Sequence, residues 1–588
     1  VKPIRCLTLC LSLLLAALVV STVAFAGDAP RRHTFFSGTQ YPLTVHFIQG
    51  TEPGPTVMVQ GGIQGDEVSG YLTAQILTHA EVIRGNLIVI PRANVPTVLA
   101  GKREINVDLN RRFDQDYNTF YEDRLARVIR FLLKRSDAFV HLHEGSGFYH
   151  PTYVDGLRNP RRYGQSIIID TPVFEGRINL AQVATSVLGQ LNHSIVPAYQ
   201  FKLFNTNTFA NNTTHPEQRK SLTFHALSSA GIPALAIEVS KNIRQLGWKV
   251  LQQLRATVLT LEQYGVELRL PEFTEQEVDR YARTASRLRV NGLPVIPGKD
   301  LTLPLAPGGT VAVTVEDAGD STFDPVPAVF ASDRPDLNMV SAPRLALSRF
   351  GRLDVRADGT RVSRVNVAWQ GQWQDKAPTP GTPVAKGAAP LFACWLNGKL
   401  RFVPADGVLE AVQGDQLVLE GVWGSRKDQE EVLNFKGYVS QPRRNDGQDA
   451  GQEIVLDSGA FIGRYVKAAK DGSSWLCRVV RETPGEPKTQ FKVRFVPRSV
   501  SALGLLGEDG DRIIVPWTGE GRYVLPAGTY TLEGLWSNGP KDKVLATNES
   551  RPLPWGGGVT VAPGLETTIT LRQATTFRPI GRMTLAAQ

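Results

Sequence analysis

Cysteine is scarce in this chain of 588 residues, which holds four. Two of them, Cys6 and Cys10, lie in an apolar stretch at the N-terminus, so only Cys394 and Cys477 belong to the body. Neither falls in the close Cys/His spacing of a structural zinc site, which excludes a zinc-finger class. In an oxidising compartment the pair could form one disulfide or remain two buried thiols, and the sequence leaves both readings open. A phosphate-loop signature and any basic–aromatic repeat are also missing. The net charge of +9 therefore speaks for weak attraction to polyanions and acidic cell-wall strands, and against a nucleic-acid module. Beyond the N-terminal stretch no run is apolar enough to span a bilayer, so no stable membrane insertion is expected.

What is present first is an export pattern. Lys2 and Arg5 precede an apolar core from Cys6 to Val20, and Ala24-Phe25-Ala26 is a small-x-small cleavage site. Residues 1–26 are expected to be a signal peptide cleaved after Ala26, delivering a soluble periplasmic protein. The short core without a basic stop-transfer flank argues against an anchor, and bulky Leu9 before Cys10 argues against a lipoprotein. The segment carries two cations and no acids, so its loss lowers the charge to +7.

A length of 588 residues implies several domains. Residues 27–270 alternate strand-like and helix-like runs, closing on a helical stretch from Ile243 to Tyr264. After Leu270-Pro271 the texture becomes short alternating runs cut by glycine and proline, as in Leu301 to Leu305 and Thr310 to Val315. The fold class expected is multidomain: an α/β catalytic domain with a mixed central sheet flanked by helices, then about three all-β sandwich-like domains. The β portion divides into 271–376, a proline-rich linker 377–390, and a tandem pair 391–497 and 498–588. The pair rests on an internal repeat. Asn397-Gly398 through Val403-Pro404 resembles Asp509-Gly510 through Val515-Pro516, and Leu417 to Trp423 resembles Tyr530 to Trp536. Polar Gln441 to Gln452 is expected to be a mobile loop in the first copy. As for role, these domains are spacers or stabilising neighbours, or they bind glycan strands or a protein partner. Trp423 and Trp536 suit sugar stacking, although each lies in an apolar strand and fits a core equally.

The chemistry concentrates in the first domain. Gly61-Gly62-Ile63-Gln64-Gly65-Asp66-Glu67 follows the apolar run Thr56 to Val59 and precedes a helically spaced stretch from Val68 to Ile83, so it lies on a strand-to-helix turn. Glycines there let the backbone bend and approach an ion, while Gln64 and Glu67 can aim two oxygens at one point. Downstream come Arg103 and Asp108-Leu109-Asn110-Arg111, in a cationic run with Lys102 and Arg112. A helical segment Tyr121 to Lys134 leads to the alternating strand Ala138 to His143, followed by Glu144-Gly145. Period two puts His141 and His143 on one face, so on spacing alone they compete as ligands. Ala234 to Val239 reads as a buried strand holding Glu238, a carboxylate that is costly there without a partner or a function. Lys241 just beyond it is a further pocket candidate.

These four places, in this order, resemble the zinc carboxypeptidases of the carboxypeptidase A superfamily, in particular the succinylglutamate desuccinylase and aspartoacylase branch. The resemblance covers roughly residues 31 to 268 and implies Zn2+ held by Gln64, Glu67 and His143, with Glu238 as catalytic base. It further implies Arg103 at the oxyanion and Asn110 and Arg111 clamping a substrate carboxylate, with Lys241 beside them. Two positions depart from the usual pattern: glutamine at 64 stands for histidine, and His141 stands for aspartate. The glutamine variant is similar to the periplasmic peptidoglycan D,L-carboxypeptidases that determine helical cell shape, which release diaminopimelate from a stem tripeptide. An N-acyl amino acid amidohydrolase of the aspartoacylase type is the alternative within enzymes, and a metal-free wall-binding scaffold is the alternative outside them.

Overall fold

The computed structural model describes residues 32–117, 120–283, 288–305, 311–316, 322–331, 338–340, 351–370, 390–423, 431–439, 447–549 and 551–588. The expected signal segment, linker residues 377–389 and loop residues 441–446 lie outside these.

Nine strands build the first sheet: β1 (Arg32–Phe35), β2 (Leu43–Gln49), β3 (Glu52–Gln60), β4 (Glu81–Ile90), β5 (Ala138–Gly145), β6 (Ser166–Ile169), β7 (Lys202–Asn205), β8 (Ala234–Ser240) and β9 (Glu267–Arg269). Their order is β1-β2-β4-β3-β5-β8-β6-β7, with β9 on β4. The sheet is mixed. β3 runs parallel to β4 and β5, and β5 parallel to β8, whereas β2 is antiparallel to β4 and β6 antiparallel to β8. Apolar Val57, Met58 and Val59 fix β3 at the centre, where all three are fully buried. β5 is buried on both faces from Ala138 to Glu144, so the alternation expected for it reads instead as a central strand.

Helix α1 (Val68–Leu77) returns the chain from β3 to β4 on one side of β3. Helices α2 (Val95–Ala100) and α3 (Tyr121–Leu133) then carry it across to β5 on the other side. The carboxyl ends of β3 and β5 thus face a topological switch point, where open α/β sheets bind ligands. Helix α1 is shorter than its sequence pattern suggested. Thr78 ends it by donating its hydroxyl to the Gln75 carbonyl at 2.7 Å, and Glu81 already belongs to β4. Helices α4 (Leu180–Leu191) and α5 (Leu246–Gln263) complete the layer, α5 packing on α1, α4 and β8.

Strands 288–290, 293–294 and 313–315 form one small sheet and strands 301–305, 327–331, 352–357 and 360–369 another, around Val290, Leu303, Val329, Leu353 and Val365. Two pairs of sheets follow. In the first pair, strands 399–404, 391–396, 416–423 and 453–455 face strands 408–412, 489–496, 475–481 and 433–435 over Phe392, Phe435, Phe491 and Phe495. In the second, strands 512–516, 500–507, 528–537 and 558–561 face strands 520–525, 579–587, 566–573 and 544–548. The strand order repeats between the pairs. So does one parallel pairing, 408–412 with 489–496 and 520–525 with 579–587. A bulge also recurs, between Ala393 and Cys394 and between Gly504 and Leu505. Cys394 and Cys477 are free, buried thiols, and burial pushes each up to about 12. Trp536 is 47% exposed; the Trp423 side chain lies outside the described residues.

The β portion packs onto the first sheet's unit. Buried Arg92 meets Asp358 through Nε at 2.8 Å and Nη2 at 3.0 Å. Phe577 stands edge-on to Phe35 and Phe131, with ring centroids at 5.0 and 5.3 Å.

Candidate active site

The turn from β3 to α1 shapes the site. Gly62 has φ of 63°, and a Cβ on Gly65 would lie 1.9 Å from the Thr97 carbonyl carbon. These glycines seat the turn against neighbouring backbone. Gln64 and Glu67 are held nearly out of solvent, at 2% and 3% exposure. Because Asp108 only accepts, the Gln64 amide nitrogen donates to its two oxygens at 3.1 and 3.2 Å, and the Gln64 carbonyl oxygen is turned away from it.

Asp108 organises more than Gln64. Arg103 Nη2 donates to it at 2.7 Å and the Asn110 backbone N–H at 2.9 Å. Asn110 in turn spends its side-chain oxygen on the Leu222 N–H at 3.0 Å, so only its amide nitrogen faces a ligand role. Arg111 donates Nη1 to the Asn110 carbonyl at 2.9 Å. Arg112 turns away to Asp123 at 2.7 Å and lies over the Tyr117 ring.

Strands β5 and β8 bring in the other half. His143 and Glu238 are register partners, and His143 Nδ1 lies 2.8 Å from Glu67 Oε2. Burial pushes Glu238 up to about 7, with Glu67 adding to it and His143, Arg103 and Lys241 opposing. Room for this carboxylate comes from a second pair of glycines. A Cβ on Gly145 would fall 2.1 Å from Glu238 Oε2 and 2.5 Å from Gly164 Cα. Lys241 Nζ bridges Asp66 at 2.6 Å and stands 3.9 Å from Glu67, at the rim.

The two histidines separate cleanly. His141 is fully buried behind His143, its Nδ1 3.1 Å from His143 Nε2, and burial holds it well below the ordinary imidazole range and neutral. Were a metal to take the Nδ1 lone pair of His143, its Nε2–H would donate to His141, whose own N–H would then face Gln60 at 3.5 Å. The Gln60 carbonyl oxygen has no other partner among the described residues, so a turned amide would accept that proton. Glu144 serves structure. It accepts from the Ser69 N–H at the start of α1 at 2.6 Å and from Lys249 at 2.8 Å.

Gln64 Oε1, Glu67 and His143 Nδ1 make a neutral-oxygen, carboxylate and imidazole donor set of the kind a catalytic zinc takes, three donors with a position left open. Among the described residues no three His, Cys, Asp or Glu side chains gather for a metal. Sequence reasoning missed Asp108 as the hub, Asp66 as the partner of Lys241, and Gly164; Asp66 and Asp108 stood inside motifs that pointed to them, and Gly164 did not.

Residues 42–280 match the profile of the family described as carboxypeptidase controlling helical cell shape, catalytic. The resemblance read from the sequence holds over that segment. Among solved structures, the tripeptide-bound cell shape determinant protein Csd4 from Helicobacter pylori is 21% identical, covering 77% of this chain and 100% of that one, with a TM-score of 0.43. A succinylglutamate desuccinylase from a Silicibacter species is 16% identical, covering 43% of this chain and 71% of that one, with a TM-score of 0.28. A curated relative, the N-alpha-acetyl-L-2,4-diaminobutyric acid deacetylase of Halomonas elongata, is 35% identical over 99 residues, 16% of this chain. The match spans 29% of that relative's length.

Proposed function

We propose that the chain is an exported, zinc-dependent D,L-carboxypeptidase of the periplasm that hydrolyses the amide bond before a terminal diaminopimelate in peptidoglycan stem tripeptides. The observation that carries this reading is the 2.8 Å contact of His143 Nδ1 with Glu67, next to Glu238 on the neighbouring strand and close in sequence to Gln64, which shares Asp108 with Arg103. The same proposal takes 27–270 as the catalytic unit, with β-domains at 271–376, 391–497 and 498–588 that offer surfaces to the wall or to cell-shape proteins.

Gln64, Glu67 and His143 would hold the zinc, which when bound acidifies water and polarises the scissile carbonyl. Glu238 takes a proton from the attacking water and returns it to the leaving amine. An environment that lifts its affinity for protons toward neutrality suits both halves of that task. Arg103 has one arm on Asp108 and the rest of its guanidinium free to meet the negative charge that grows on the carbonyl oxygen. Asn110, through its amide nitrogen, and Arg111 hold the substrate's terminal carboxylate.

Incubating the purified protein with muropeptide tripeptides and following mass tests the reading. Loss of a terminal diaminopimelate is expected. A second reading, deacylation of an N-acyl amino acid, draws on the 99-residue match to a deacetylase. Intact tripeptides beside hydrolysed acyl-amino acid would favour it, and a folded protein that takes up no zinc would favour a wall-binding scaffold instead.

A further inference from the structure

A cavity of about 560 Å³ lies between the residues around the end of α3 and the last pair of sheets. It is remote from Glu238: Arg135 stands just before β5 begins, whereas His143 is near its end, so roughly 20 Å of strand separates them. Thr568, Thr570 and Arg572 alternate along one strand and share the face that lines the cavity. The Arg572 guanidinium lies 4.5 Å from the Phe131 ring centre and 4.7 Å from that of Phe577, and Arg135 lies 5.4 Å from Phe131 on the same ring.

Two guanidiniums thus gather at one aromatic ring. Among the described residues neither has a carboxylate within ion-pair distance, whereas Arg582 in the same cavity is answered by Glu520 at 3.6 Å. Arg572 Nε is buried without a hydrogen-bond partner. Burial first and the field of Arg135 second pull Arg572 down to about 10. A cation placed in this way is costly unless an anion joins it. Glu549 lines the cavity too and repels an anion from its side, which leaves the Arg135 and Arg572 side as the place for one.

We infer that this cavity binds a small organic oxyanion, a carboxylate or phosphate group, held by the paired guanidiniums of Arg135 and Arg572 with the Thr570 hydroxyl beside them. Guanidinium forks suit the planar or tetrahedral oxygens of such groups, and a cavity of this size admits a ligand of monosaccharide dimensions. The inference stands apart from the proposed peptidase activity.

Calorimetric titration of the full chain at low salt tests it with two probes, inorganic phosphate and N-acetylmuramic acid, a sugar bearing a free carboxylate. One equivalent of at least one probe is expected to bind, and the stronger probe identifies the group. Arg135→Ala, at an exposed position that leaves the fold intact, should weaken that binding at least tenfold, while Arg572→Lys should retain part of it. Failure of both probes to bind the unaltered chain overturns the inference. Binding that survives Arg135→Ala unchanged overturns it equally.

Discussion

Arg92 and Arg103 each answer an aspartate, one where the β portion docks and the other at the site, and they do so in opposite ways. Arg92 is saturated. It holds Asp358 with two nitrogens, gives Nη1 to Gln75 at 2.7 Å and Nη2 to the Phe323 carbonyl at 3.1 Å, all out of solvent. Arg103 reaches Asp108 with one nitrogen, its side chain is 48% exposed, and it acts at a distance on Glu67 and Glu238. A buried charge whose partners are complete fastens two units together. One left with spare hydrogen-bonding capacity is available to meet charge that appears during a reaction.

The sharpest test of the site half is Glu238→Gln. Turnover of tripeptide should fall about 10²- to 10⁴-fold, the range for losing a general base, while zinc content and melting temperature stay the same. Activity near that of the unaltered chain would mean that another group takes the proton. On the docking half, Arg92→Met strands the Asp358 carboxylate and should cost about 3–5 kcal/mol in urea unfolding. Its kcat/KM, measured where the variant is still folded, should be unchanged. Arg103→Gln inverts that pattern, with kcat lower by about 10²- to 10³-fold and little change in unfolding. If both arginine variants lose stability and activity together, the contrast between fastening and reacting charges fails.

Smaller effects bear on the shell around the zinc donors. His141→Ala removes the ring nitrogen 3.1 Å from His143 Nε2, so a zinc-bound His143 would lose the acceptor that fixes its tautomer and orientation. Zinc affinity should drop about 10- to 100-fold, read by competition with a chromogenic chelator. His141→Asp should restore it, since a carboxylate accepts the same proton.

How much of this was legible beforehand depended on distance along the chain. The placement of Gln64 and Glu67 on a strand-to-helix turn, and of His143 and Glu238 within short strands, could be read because each rests on local texture. The hold of Asp108 on Gln64 could not, since it joins positions far apart in sequence through a loop without periodicity. His141 and His143 were indistinguishable by period two; only the packing of β5 between β3 and β8 shows which of them meets Glu67. The turn glycines were legible as glycines, but the close approach of Gly65 to the Thr97 backbone was not, since it joins two loops with no shared pattern. The same limit hid Phe577 beneath Phe35 and Phe131, a contact between the two ends of the chain.

The docking half carries one titration that the site half cannot explain. Glu453 is pushed up to about 7, by burial above all, with Gln416, Arg124, Lys543 and the Gln40 backbone opposing. Its protonated form is the one the fold favours. A carboxyl raised in the folded state contributes stability in full below its ordinary value near 4.5, and that contribution is lost as pH climbs through about 7. Glu453→Gln keeps the shape without the titration. The melting temperature of this variant should therefore exceed that of the unaltered chain by a margin that widens from pH 5 to pH 8. Using the difference cancels the other raised carboxyls, Glu122 and Glu238 among them. A margin that stays flat over that range would mean Glu453 is already ionised and paired when folded, and this part of the docking surface would then resemble Arg92 and Asp358, held by completed charge rather than by a shared proton.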